Sequence, residues 1–412
     1  MTVALKSGDL VSCDYGGKTH KGIYITSRDG MAVVKLSSGY NIGVPPSSCT
    51  CIEQSVPAPS RSRVVNKTEG LPDLSIISTG GTIASRIDYR TGSVSSQFDA
   101  SDILTAIPEL AQIANYRTLP LAAILSENMT PVIWQELARA VYTEIKNDAA
   151  GIIVTHGTDT MAYSAAAISF MIDTPVPIIF VGSQRSADRP SSDNTMNAVC
   201  AAAAATGDLG EVAVVMHATT NDDTCAIHRG TRVRKLHTSR RDAFQSVGLP
   251  AIGSVAYPSR AVALTTDAVR RGSHTLALHD NLEPHCALLQ FYPGMSPDLI
   301  RAYEGYKGLV LSGTGLGHVS TLLIPAITKL IEAETLVVMT SQCMHGRVCD
   351  RVYDTGRDLL NAGVIEGGDM LPEVAFVKLM WVLGNVKDKT KAAVMMQTDL
   401  KGELNRRSAH GL

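Results

Sequence analysis

Aromatic side chains are scarce in this chain, at 5% of its residues, which leaves little material for an aromatic-rich recognition surface. An excess of charge of one sign is also missing. The formal net charge is -2, so no global basic field exists to hold nucleic acid by neutralising its phosphates, and an RNA role would need a partner or a local patch. The densest basic run, His228 to Arg241 (HRGTRVRKLHTSRR), reads either as such a patch or as the solvated flank of a site. The eight cysteines are scattered, with no C-x-x-C pair and no histidine spacing that suits zinc. That usage fits a reduced, cytoplasmic compartment, and no metal site is expected. No segment reaches the ~18 unbroken apolar residues of a membrane helix, and the start, MTVALKSGDL, lacks a basic region followed by an apolar one. Neither export nor a membrane partner is expected.

What is present is a globular composition, 45% hydrophobic and 18% charged, over 412 residues. That length suits two or three domains, each with its own core. Residues 7 to 54 read as short strands, Leu10 to Tyr15, Gly22 to Ile25, Met31 to Leu36 and Tyr40 to Val44, punctuated by turn residues such as Gly16-Gly17 and Ser37-Ser38-Gly39. A small all-β barrel over residues 1–54 is the economical expectation, with no cluster of acids, bases or nucleophiles in it. The polar, proline-bearing stretch 55–73 reads as a linker.

Beyond it, apolar runs alternate with helical periodicity. Strands are expected at Leu74 to Ser78, Gly151 to Thr155, Pro177 to Val181, Glu211 to Met216, Gly308 to Leu311 and Thr335 to Met339. Thr130 is a good helix cap and Pro131 a good first-turn residue, ahead of Ile133, Leu137, Val141 and Ile145 at helical spacing. Asp369 to Gly384 repeats that logic, with Pro372 in the first turn and Gly384 as the stop. Strands alternating with helices predict an α/β fold with mostly parallel sheets, whose sites gather at strand C-termini. The expected division is a large catalytic domain over 74–254, a connecting region over 255–306 and a smaller α/β domain over 307–412.

Three polar clusters stand at predicted strand ends. The first, Ser78 to Ala84 (STGGTIA), pairs glycines that let the backbone approach a ligand with hydroxyls on either side, and its spacing is not that of a phosphate loop. Taken alone it could be a simple turn. The second, Thr155 to Thr160 (THGTDT), follows a strand and opens a helix, although Asp159 could serve only as a cap. The third, Ser126-Glu127-Asn128-Met129, could be no more than a polar loop before the Thr130 helix. Three such clusters in one domain favour chemistry. A lone threonine hydroxyl needs a base or a shared proton network to attack anything, and Lys235, Asp159 and Tyr89 are the candidates. A lysine acts as base only where burial destabilises its ammonium, and a neighbouring carboxylate pushes the other way.

In this order the fragments resemble the asparaginase and glutaminase family, whose hallmarks T-G-G-T-I and H-G-T-D-T stand in full at Thr79 to Ile83 and His156 to Thr160. The resemblance extends from about Leu74 to Gly384. It implies an asparaginase-like two-domain α/β fold and an amidohydrolase that acts through an acyl-threonine. It further implies Thr82 as nucleophile, Tyr89 on a flap over it, and Thr158 coupled to Lys235 and Asp159. Ser126 and Glu127 match positions that hold the substrate's α-carboxylate and α-amino groups, with Asp159 also facing the amine. Backbone N–H groups of the turn at Gly81 and of Thr158 would stabilise the oxyanion. The family often completes its site from a neighbouring protomer of a homodimer; His318 stands where an asparagine is usual, which puts that contribution in doubt.

The front segment, with G-D-L-V at Gly8 to Val11 and K-L-x-S-G-Y-N-I-G at Lys35 to Gly43, is similar to the D-subunit family of archaeal Glu-tRNA(Gln) amidotransferases. That resemblance implies glutamine or asparagine as substrate and no cofactor in this chain. A GatE-like E subunit would bind the tRNA, use ATP and Mg, and accept the ammonia. The alternatives are a free-standing L-asparaginase, which would have no use for the front segment, and a silent scaffold, against which intact Thr82, Thr158, Asp159 and Lys235 argue.

Overall fold

The computed structural model describes residues 5, 9–28, 30–36, 41–53, 67–80, 86–88, 93–95, 104, 106–185 and 191–407. Two compact units are distinguished, one from the described residues within 1–63 and 85–95, the other from those within 64–84 and 96–412.

The first unit contains a five-stranded antiparallel sheet: β1 (Leu10–Tyr15), β2 (Lys18–Arg28), β3 (Met31–Leu36), β4 (Asn41–Val44) and β5 (Cys49–Glu53), in the order β4-β3-β2-β1-β5. Alternation along the strands gathers Val11, Cys13, Tyr24, Ala32, Val34 and Val44 into one small core. Gly16 and Gly17 adopt φ of 59° and 74° and Tyr15 pairs with Lys18, a two-residue turn whose left-handed positions suit glycine. The second strand is longer than the Gly22 to Ile25 segment read from sequence, because a register shift between Tyr24 and Thr26 lets pairing continue through a bend. The fifth strand carries no alternating apolar signal and was not expected; it follows a tight turn at Pro46–Ser48 and pairs with β1. A hairpin of β7 (Arg86–Asp88) and β8 (Ser93–Ser95) belongs to the same unit.

In the second unit an eight-stranded sheet contains β6 (Asp73–Gly80), β9 (Asn115–Ile124), β10 (Gly151–Thr155), β11 (Ile178–Val181), β12 (Val212–His217), β13 (Thr224–Arg229), β16 (Gly253–Ala256) and β17 (Val262–Leu264). Strands β9, β6, β10, β11 and β12 are mutually parallel; β13, β16 and β17 continue the sheet antiparallel. A separate ribbon pairs β14 (Val233–Lys235) with β15 (Phe244–Ser246). The second sheet is parallel throughout, with β18 (Cys286–Gln290), β19 (Gly308–Gly313), β20 (Leu336–Ser341) and β21 (Ile365–Glu366). Strand β18 thus lies inside the span that reads from sequence as connecting chain.

Helix α1 (Pro131–Lys146) is capped by the Thr130 hydroxyl, which accepts from the Ile133 amide, and buries Trp134, Leu137, Ala138, Val141 and Ile145 on one face. Helix α2 (Met161–Met171) buries every residue but Tyr163, so it has no polar face and its sequence shows no helical period. The helix α3 (Asn194–Thr206) holds the alanine run, buried against the opposite face of the large sheet. Four helices follow the second sheet's strands: α4 (Pro297–Arg301), α5 (Ile324–Glu332), α6 (Asp354–Ala362) and α7 (Pro372–Asn385); α8 (Lys389–Met396) comes last. One continuous core joins Ile77, Val154 and Val214 of the large sheet, through α2 and α7, to Val310 and Val338 of the smaller one. Gly384 is not a helix stop, since α7 runs on to Asn385. A side chain at Gly384 would meet the Asn281 backbone at 2.7 Å, so close approach of two chain segments explains the glycine. Among the described residues no helix is long and apolar enough to cross a membrane.

Candidate active site

Parallel pairing puts the C-terminal ends of β6, β9 and β10 on one edge of the large sheet, where an α/β fold displays its chemistry. Thr155 pairs with Ser78 and Gly80 pairs with Ile124, so the three polar clusters begin side by side. They are also tied together. The buried Thr79 hydroxyl donates to the Thr155 carbonyl at 3.0 Å, and the Thr160 hydroxyl donates to the Ser126 carbonyl at 2.7 Å. Gly157 lies flat against the third cluster: a Cβ there would sit 2.7 Å from the Ser126 Cβ and 2.9 Å from its Oγ. Any side chain at 157 would displace Ser126.

Lys235 arrives from elsewhere in the chain. It ends β14, opposite Phe244 of β15, and its ammonium donates to the Thr158 hydroxyl at 3.0 Å and to the Asp159 carboxylate at 2.7 Å. The Thr158 side chain is buried, whereas those of Lys235 and Asp159 are 14% and 70% exposed. The trio therefore runs from the interior outward, with a hydroxyl at the inner end that donates to no other described residue. Such an arrangement can pass a proton between a hydroxyl and an amine without a diffusing base.

His156, in the same turn, is no part of this relay. It is fully buried and desolvation pushes its imidazole down to about 4, so it is neutral at ordinary pH. Its Nδ1 lies 2.7 Å from the Gly157 carbonyl, which can only accept, and therefore carries the ring proton. The Nε2 atom then accepts from the Ser164 hydroxyl at 2.8 Å, which itself accepts from the Trp134 indole at 2.8 Å. This chain pins the 155–160 turn to α1 and α2. Sequence reasoning singled out His156 as a motif letter and gave Ser164 and Trp134 no role; neither spacing nor composition marks them.

Among the other expected site residues, Ser126 is buried and Glu127 exposed, both in a single turn of 3-10 helix over Ser126–Asn128. Gly81, Thr82 and Tyr89 lie outside the described residues; Gly80, two positions before Thr82, stands on the same sheet edge as Thr158. His318 follows β19 of the smaller sheet. Its backbone bridges to Thr314, and its ring lies near Thr355, with 3.4 Å between Nδ1 and the hydroxyl, and near the ring of Tyr353 at 5.3 Å. No hydrogen bond or ion pair among the described residues joins it to Thr158, Asp159 or Lys235.

Residues 73–270 match the family model for the asparaginase N-terminal domain, 285–396 that for the glutaminase/asparaginase C-terminal domain, and 5–53 that for the GatD N-terminal domain. The D subunit of glutamyl-tRNA(Gln) amidotransferase from Methanosarcina mazei is 54% identical over 419 residues, covering 97% of this chain and 98% of its own. That of Archaeoglobus fulgidus is 54% identical over 399 residues, covering 96% and 95%. Among solved structures, the thermostable L-asparaginase from Thermococcus kodakarensis superposes with a TM-score of 0.72 at 33% identity, covering 81% of this chain and 99% of its own.

Proposed function

Because this chain belongs to the D-subunit family of glutamyl-tRNA(Gln) amidotransferases, a family built on asparaginase domains, we propose that it frees ammonia from a side-chain amide for the transamidation of Glu-tRNA(Gln). It is an amidohydrolase subunit, and the GatD N-terminal domain separates it from a free-standing asparaginase.

In this reading the hydroxyl of Thr82 attacks the amide carbon of glutamine or asparagine, and the carbonyl oxygen becomes an oxyanion. The hydroxyl proton passes to the leaving nitrogen, the C–N bond breaks, and ammonia departs from an acyl-threonine. Water then adds to the ester through a second oxyanion and restores the hydroxyl, so one set of donors serves both steps. Thr158, Lys235 and Asp159 handle the proton, with Tyr89 beside the nucleophile. Ser126, Glu127 and Asp159 hold the α-carboxylate and α-amino groups, and Gly81 supplies an N–H. The observation that carries the reading is the Lys235 ammonium, which bridges Thr158 and Asp159 at 3.0 and 2.7 Å just past the end of β10. The ammonia is passed to a GatE-like partner that holds the tRNA and uses ATP and Mg. The chain works in the cytoplasm as a homodimer, and the segment carrying His318, where relatives of the asparaginase family have asparagine, is the one that would complete the site of a second copy.

Two variants test this. Thr82→Ala and Lys235→Met should each lower ammonia release from glutamine and asparagine by at least about 1000-fold, with thermal unfolding unchanged. Full activity in Thr82→Ala would remove the nucleophile. Adding partner, Glu-tRNA(Gln) and ATP to the parent chain should accelerate glutamine hydrolysis, and a flat response would detach the chain from transamidation.

A further inference from the structure

The strands β14 and β15 form a ribbon of three residue pairs that, among the described residues, joins no other sheet. An isolated two-stranded ribbon is marginal in water, so the place of Lys235 at its end depends on what anchors the ribbon. Val233 and Phe244 bury it in the main core and Arg234 pairs with Glu373 at 3.3 Å; a further anchor is Arg232, three residues before the lysine and first among the large side chains that the fold buries completely. Its Nε donates to the Gly402 carbonyl at 2.8 Å, and its Nη1 to the Asp369 carbonyl at 3.2 Å and to Asp369 Oδ2 at 3.1 Å. The carbonyl of Arg232 accepts from Val247 at 2.8 Å, one residue past β15, so the same residue fastens the ribbon through backbone and side chain.

The groups that receive Arg232 are themselves held. Asn405 donates to Asp369 from its backbone at 2.9 Å and from its side-chain amide at 2.8 Å. Thr231 adds a bond to the Lys401 carbonyl at 2.8 Å. The segment carrying Lys401, Gly402 and Asn405 is fixed by Glu403, which pairs at 2.5 Å with Lys378 of α7 where both side chains are fully buried. Glu403 also accepts from the amides of Leu400 and Lys401.

A buried ion pair is weak evidence of stabilisation, because desolvation offsets most of the attraction; fixing register is its better-supported use. We propose that Arg232 is a positioning residue for Lys235, and that Asp369 with the C-terminal segment 399–405 is the frame against which the lysine is set. This rests on the proposed role of Lys235 in proton transfer. Replacing Arg232 by lysine keeps the charge but loses the planar fork that reaches Gly402 and Asp369 together. The ribbon then settles with its lysine displaced, and misplacement of about 1 Å costs on the order of 100-fold in rate.

The test measures ammonia release by the full-length chain, with kcat and KM separated, and records thermal unfolding for each variant. Arg232→Lys should lower kcat on the order of 10- to 100-fold with KM within about 2-fold. Asn405→Ala, which removes only a half-buried amide, should lower kcat about 3-fold and decides the matter if Arg232→Lys does not fold. Added to Lys235→Met, Arg232→Lys should cause no further loss, because a residue acting through the lysine has nothing left to place. Wild-type kcat in both Arg232→Lys and Asn405→Ala, with Lys235→Met inactive, would overturn this inference alone. A fully active Lys235→Met would overturn the reading of the lysine, and this inference with it.

Discussion

Among the described residues, the imidazoles of His156 and His228 are buried without charge, and their titration is a property of the fold rather than of the reaction. Desolvation brings both His156 and His228 down to about 4. In the unfolded chain an imidazole titrates near its ordinary value of about 6.5. Between those limits the unfolded chain therefore binds protons that the folded chain refuses. The stability these residues contribute is complete above about pH 6.5 and is lost as pH falls towards 4, with a slope of up to about 1.4 kcal/mol per pH unit for each. Urea titrations of the parent chain and of His228→Gln at pH 7, 6 and 5 should show the variant losing less stability than its parent as pH falls, by up to about 1.4 kcal/mol per pH unit; equal losses would mean that His228 binds its proton as readily in the folded chain as in the unfolded one. Sequence alone gave no warning of this, since it marked His156 only as a letter of the H-G-T-D-T motif. Its neutrality follows from Phe180, whose ring lies 5.9 Å away, and from Trp134 and Ser164, which are near only in three dimensions.

At the scale of elements, the turn at Thr155 to Thr160 and the turn at Ser126–Asn128 behave as one piece, because Gly157 leaves no room between them. Gly157→Ala should push Ser126 outward and raise KM for the amino-acid substrate on the order of 10-fold, while α1 and α2 keep their places. Steady-state kinetics with glutamine and with asparagine would check this, and an unaltered KM would separate Ser126 from substrate binding. Polar residues at the end of an apolar run were legible because strands of a parallel sheet end together. The arrival of Lys235, 76 residues beyond Asp159, was not legible from spacing: residue type made it one of three candidate bases, and only the family resemblance coupled it to Thr158 and Asp159. Helix α2 was legible from its place after the Thr155 to Thr160 cluster and not from a period: buried on all sides, it has no polar stripe for a period to reveal. Pro45 and Pro46 hid β5, because the pattern ahead of it reads as a loop.

For the whole molecule, the shared core makes a prediction that neither sheet would make alone. The chain has two tryptophans, Trp134 in α1 beside the large sheet and Trp381 in α7, which stacks on Phe170 of α2 at 6.0 Å. Single-tryptophan variants, Trp134→Phe and Trp381→Phe, should report the same denaturant midpoint, because the residues around both probes belong to one cluster. Midpoints well apart would show that the two sheets unfold separately. The shared core also limits recombination. A chimaera joining the first half of this chain to the second half of an asparaginase would carry its seam through the contact of α2 with α7, where side-chain volumes inherited from different parents must interlock. Exchanging the five-stranded sheet for that of another member of the D-subunit family leaves every residue of that cluster native, so shuffled libraries should yield folded progeny from the second kind of crossover and few from the first.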